Sequence, residues 1–159
     1  CRLIPRLYGG GQEYGLRSGT EAVPAFAALG AAVGALPDPA VFEAETKALS
    51  DRLLAGLSRI PGVLLHRPES AVPYIVSLSV PGLRSETLLH FLAQRDVYVS
   101  SGSACSKGRR SPVLTAMGMS ADEIDSALRV SLSRYNDESD IDALLEGLSE
   151  ATAALARRK

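Results

Sequence analysis

The chain of 159 residues contains no tryptophan, only two cysteines and only two histidines, and its formal net charge is −1. Each shortage removes a class of function. Two cysteines, Cys1 and Cys105, give no disulfide framework, so the expected compartment is a reducing cytoplasm. The histidines, His66 at a strand end and His90 on an apolar helix, have no convincing second partner for a metal, and no metal site is expected. Long hydrophobic runs are also lacking. Val23 to Leu36 is apolar, but it is shorter than the about 20 residues a membrane helix needs and is interrupted by Pro24, Gly30 and Gly34. No secretory signal is read. Nor is positive charge gathered into a stripe: Lys107 to Arg110 and Arg157 to Lys159 read as local chemistry and a helix C-terminus, so no nucleic-acid partner is expected. Repeats and low-complexity tracts are absent.

What is present is a composition, 46% hydrophobic, that fits a soluble domain. A glycine-rich loop runs from Tyr8 to Thr20 and leads into an apolar stretch, Glu21 to Leu36, expected to be a buried helix with Pro24 in its first turn. Asp38 and Pro39 start a second helix with Phe42, Leu49, Leu53, Leu57 and Ile60 on one face, ended by Pro61 and Gly62. Strands are expected at Val63 to Leu65, Tyr74 to Val80, Val97 to Ser100 and Leu128 to Leu132. Between them, Ser85 is expected to cap a helix carrying Leu88, Leu89 and Leu92. Short helices are expected from Pro112 to Met117 and from Ser120. A last helix, begun by Asn136, buries Ile141, Leu144, Leu145, Leu148 and Leu155. The pattern is α+β, a few-stranded sheet with helices on one face.

Three polar features stand out against this scaffold. Cys105 follows the small residues Ser100-Ser101-Gly102-Ser103-Ala104 and precedes Lys107, Arg109 and Arg110; nearby cations lower a thiol's pKa from about 8.5 and enrich the nucleophilic thiolate. A buried apolar cysteine is the plain alternative. Thr20 ends the glycine loop at a helix start, where a hydroxyl can hold a phosphate or simply cap the helix. Arg129 lies inside the strand Ala127-Leu128-Arg129-Val130-Ser131-Leu132, where its fork matches a carboxylate; an edge-strand arginine facing solvent is the alternative. Taken alone, Cys105 to Arg110 also reads as a cysteine-centred anion loop of rhodanese or phosphatase type. That reading leaves the glycine loop and Arg129 unexplained.

Three segments, Gly9 to Glu21, Ser100 to Cys105 and Ala127 to Tyr135, resemble the cysteine desulfurases of the class V aminotransferase group. The resemblance implies the C-terminal part of a fold type I pyridoxal-phosphate enzyme. Residues 1–36 would belong to the large cofactor domain and residues 37–159 would form the small C-terminal domain. It further implies that Cys105 takes sulfur from L-cysteine as a persulfide, leaving alanine, that Arg129 holds the substrate carboxylate, and that Thr20 contacts the cofactor phosphate across a homodimer interface. A sulfur-acceptor or iron-sulfur scaffold protein is the implied partner. Departures from the family pattern are Tyr14 where a basic residue is commoner, Ser77 where an asparagine is usual, and a short segment after Cys105. The family's cofactor lysine, in a Ser-x-His-Lys context, has no match among Lys47, Lys107 and Lys159. The chain alone is therefore expected to be inactive, as a fragment or one piece of a split enzyme, with a dimerisation or scaffold-binding remnant as the non-catalytic alternative.

Overall fold

The computed structural model describes residues 3–68, 70–101 and 110–155. A short 3-10 turn at Gln12–Gly15 is followed by α1 (Val23–Gly34), α2 (Pro39–Leu57), β1 (Leu64–Leu65), β2 (Ile75–Ser79) and α3 (Ser85–Ala93). Then come β3 (Ser100–Ser101), α4 (Pro112–Ala116), α5 (Ala121–Asp125), β4 (Ala127–Ser131) and α6 (Glu138–Ala154). The chain divides into two compact units, Cys1–Asp38 and Pro39–Lys159.

In the second unit the strands form one antiparallel sheet in the order β1-β2-β4-β3. Alternation along β2 and β4 decides its two faces. Val76 pairs with Val130 and Leu78 with Leu128. These residues, with Val80 and Leu132, merge into one core with Leu53 and Leu57 of α2, Leu88 and Leu92 of α3, and Ile141, Leu144 and Leu148 of α6. Each fully buried leucine contributes about 1.5–3 kcal/mol relative to an exposed one. The expected gathering of helices on one face thus holds for α2, α3 and α6. The opposite face carries Ile75, Ser77 and Ser79 from β2, and Arg129 and Ser131 from β4. Among the described residues its Ser79 end is closed: Ser79 Oγ donates to the carbonyl of Glu123 in α5 at 2.7 Å, and Ser79 and Ala127 are buried.

Local chemistry moves several expected boundaries. Ser85 is the first residue of α3 rather than its cap; Arg84 precedes it in extended conformation with no capping side chain. Asp137, not Asn136, caps α6, because its carboxylate accepts from the amides of Ser139 and Asp140 while Asp140 reaches back to the Asp137 amide. Asn136 is committed elsewhere, its Oδ1 accepting from the amide and hydroxyl of Ser133. Ser120 does cap α5, with Glu123 completing the reciprocal pair. The third strand is Ser100–Ser101, starting three residues and ending one residue later than expected, and Val97 and Val99 before it pack partly buried against the core.

In the first unit, α1 begins two residues later than expected and buries none of its residues, contrary to the expected buried helix. Val23, Phe26, Leu29 and Val33 are all more than half exposed, so no described residue covers this apolar surface. Among the described residues, no single helix is long and apolar enough to cross a membrane.

Candidate functional site

Arg129 sits in an internal strand, so the edge position of the alternative reading does not hold, while its exposure to solvent does. Its position in β4 puts it on the open face of the sheet, opposite Ser77 of β2 on one side and Ser100 of β3 on the other. The side chain is exposed. Three other arginines find carboxylates: Arg52 binds Asp142 and Glu138, Arg95 binds Glu150, and Arg110 binds Asp125. Arg129 has no such pair among the described residues, so its charge and its fork are available to an anion from outside.

The row extends to the sheet's far edge. The amide of His66, just beyond β1, donates to the carbonyl of Ser77 at 2.9 Å. The His66 ring turns along the same face to Ser79, with Nε2 and Oγ 2.7 Å apart. Burial holds the imidazole below its ordinary pKa, with the Glu123 charge opposing in the lesser sense. The neutral ring therefore adds no second cation beside Arg129. Sequence reading had assigned His66 to a strand end and missed this contact, which only the register of β1 against β2 creates.

Cys105 lies outside the described residues, as do Lys107 and Arg109. The two ends of its segment are described. Ser100 and Ser101 pair with Arg129 and Leu128, so the chain enters the cysteine segment from the strand beside Arg129. It leaves at Arg110, whose Nε and Nη2 donate to the two carboxylate oxygens of Asp125 at 3.0 and 3.1 Å. That pairing raises the Arg110 pKa and compensates its charge. The Arg110 charge is thus shared with Asp125 rather than held for a thiolate alone. Ser111 then caps α4 by accepting from the Leu114 amide.

In the first unit the glycine-rich loop is closed at its neck, where Leu7 and Arg17 form a parallel bridge and Ser18 Oγ donates to the Leu7 carbonyl at 2.9 Å. Gly19 adopts φ +131°, a backbone conformation that side-chain-bearing residues rarely adopt, so the position favours glycine; the nearest atom to a Cβ there would be only the mobile end of Arg17. Thr20 follows immediately, exposed and outside any helix, two residues before the Ala22 cap of α1. Its hydroxyl has no partner among the described residues and caps nothing. To a phosphate such as that of pyridoxal phosphate this hydroxyl offers a single donor. Among the lysines the described one, Lys47, is committed to Asp51 on α2.

The Aminotransferase class-V family matches residues 6–144. Cysteine desulfurase IscS of Methanosarcina thermophila is 36% identical over 159 residues, covering 97% of this chain and 39% of the relative. The mitochondrial cysteine desulfurase of Saccharomyces cerevisiae is 37% identical over 153 residues, covering 94% of this chain and 30% of the relative. Among solved structures, the NifS-like protein of Rickettsia africae superposes with a TM-score of 0.81 at 31% identity, over 97% of this chain and 41% of that one. The chain thus spans well under half the length of the relatives it matches.

Proposed function

The chain belongs to the class V aminotransferase family, and on that premise we propose that it forms part of a pyridoxal-phosphate-dependent cysteine desulfurase. The observation that carries this reading is Arg129: an exposed guanidinium with no carboxylate partner among the described residues, beside the strand that leads into the Cys105 segment. A fork of this kind grips an α-carboxylate in two parallel hydrogen bonds and fixes the amino acid's orientation. The Cys105 thiolate then attacks the sulfur of L-cysteine. A sulfur-sulfur bond forms on Cys105, the carbon-sulfur bond of the substrate breaks, and its electron pair and a proton complete the methyl group of alanine. No external oxidant is required. Pyridoxal phosphate, when bound, supplies the electron sink that makes the substrate sulfur electrophilic.

Thr20 donates to one edge of the cofactor phosphate, and the reading places that contact across the interface of a homodimer. The lysine that bonds the cofactor comes from outside this chain, so the chain alone is expected to be inactive. The persulfide passes to an acceptor protein of sulfur-transfer or iron-sulfur assembly in a reducing compartment.

The test is Arg129→Lys in the complete enzyme. Lysine keeps the charge and loses the fork, so kcat/KM for cysteine should fall at least about tenfold, roughly 1.4 kcal/mol. Binding of amino acids should weaken while binding of the corresponding amines is unaffected. Equal losses for both classes would assign Arg129 to the architecture and overturn its role as the clamp.

A further inference from the structure

Arg129 is flanked across both ladders by serine. Ser77 opposes it on β2 and Ser100 on β3, so neither neighbouring strand offers it an acid. Three arginines elsewhere in the chain are held by carboxylates, Arg110 by Asp125, Arg95 by Glu150 and Arg52 by Asp142 and Glu138. Directly opposed residues in an antiparallel pair have Cβ atoms about 4.5–5.5 Å apart, and opposite charges there attract. An acid at either serine position would therefore occupy the fork from within the protein.

We infer that Ser77 is a specificity-determining position for the substrate: its uncharged side chain leaves the Arg129 fork open to amino acids that bring their own α-carboxylate. The inference rests on the carboxylate reading of Arg129 and adds what keeps that site available. Ser77 is the stronger of the two positions because its backbone is fixed on both sides. It lies at the centre of β2, paired with β4, and its carbonyl accepts from His66. Ser100 opens a two-residue edge strand. His66 does not compete for the substrate, since its ring is engaged with Ser79. Ser77 acts through Arg129 and is a positioning residue.

The experiment compares Ser77→Asp with Ser77→Asn, nearly equal in size and different in charge, in the complete enzyme with cofactor bound. Two quantities are read: KM and kcat for L-cysteine, and the affinities of L-alanine and ethylamine by titration calorimetry. Ser77→Asp should raise the cysteine KM and weaken alanine at least about tenfold, with kcat and ethylamine binding unchanged, whereas Ser77→Asn should stay within about threefold of the parent. Equal effects of the two variants, or no effect of the aspartate, would overturn the proposal. Should Ser77→Asp fail to fold, Ser100→Asp approaches Arg129 from the other strand and carries the same expectation. Arg129→Lys separates the two levels of the argument. If it leaves alanine binding intact, the carboxylate reading falls; if it weakens alanine and the aspartates do not, only the role of Ser77 falls.

Discussion

His66 and Ser79 are joined by a 2.7 Å hydrogen bond whose direction is fixed by a third group. Ser79 gives its only hydroxyl proton to the Glu123 carbonyl, so His66 Nε2 must carry the hydrogen and donate to Oγ. Titration then occurs at Nδ1. Burial lowers the folded pKa beneath the ordinary 6.5, so on acidification the unfolded chain takes up its proton first. Stability from this group is complete above pH 6.5 and is lost as pH falls from there to the folded value. Glu123 is lowered from 4.5 by its hydrogen bonds to Ser120 and loses its own contribution in a separate, more acid window. Urea midpoints followed across pH should fall in two steps, and His66→Asn should remove only the first. A single step below pH 4.5 in the parent would contradict this account.

Arg110 makes the opposite kind of prediction. Its charge is compensated by Asp125, so Arg110→Ala should leave the alkylation rate of the Cys105 thiol at neutral pH within about twofold of the parent. Asp125→Asn should accelerate alkylation by uncovering the guanidinium. A tenfold slower reaction in Arg110→Ala, beyond the about twofold expected, would restore this residue as an activating cation.

Thr20 is exposed and caps no helix, so its hydroxyl is dispensable for folding. In the complete enzyme, Thr20→Val should weaken pyridoxal phosphate retention by about 1.5–3 kcal/mol, the worth of one hydrogen bond to a charged group. The midpoint of unfolding of the chain without cofactor should not move. Unchanged cofactor affinity in a titration of the dimer would remove Thr20 from the phosphate site.

Much of this was legible in the sequence because the underlying signals are local or periodic. The stripe Ile141, Leu144, Leu148 and the alternation Val76, Leu78, Val80 identify buried faces without reference to anything distant. Arg129 within an apolar strand pattern was likewise visible. What escaped were relations set by register and competition. Nothing near Arg129 in the sequence announces Ser77 or Ser100 as its cross-strand neighbours, since that depends on how β2 and β3 slide against β4. Asn136 lost the helix cap to Asp137 because Ser133 captured its side chain first. The buried helix expected at Glu21 to Leu36 failed for a different reason: apolar composition reports a surface that needs cover, and the cover is not among the described residues.

The central claim is that Cys105 receives sulfur from cysteine, and the most direct measurement is the mass of its peptide after one turnover of the complete enzyme with L-cysteine. The account predicts one added sulfur on the peptide containing Cys105, none on the peptide containing Cys1, and alanine in equal amount. It also predicts that Cys105→Ser retains pyridoxal phosphate and releases alanine and sulfide no faster than background. Sulfur on another residue, or full activity in Cys105→Ser, would contradict it.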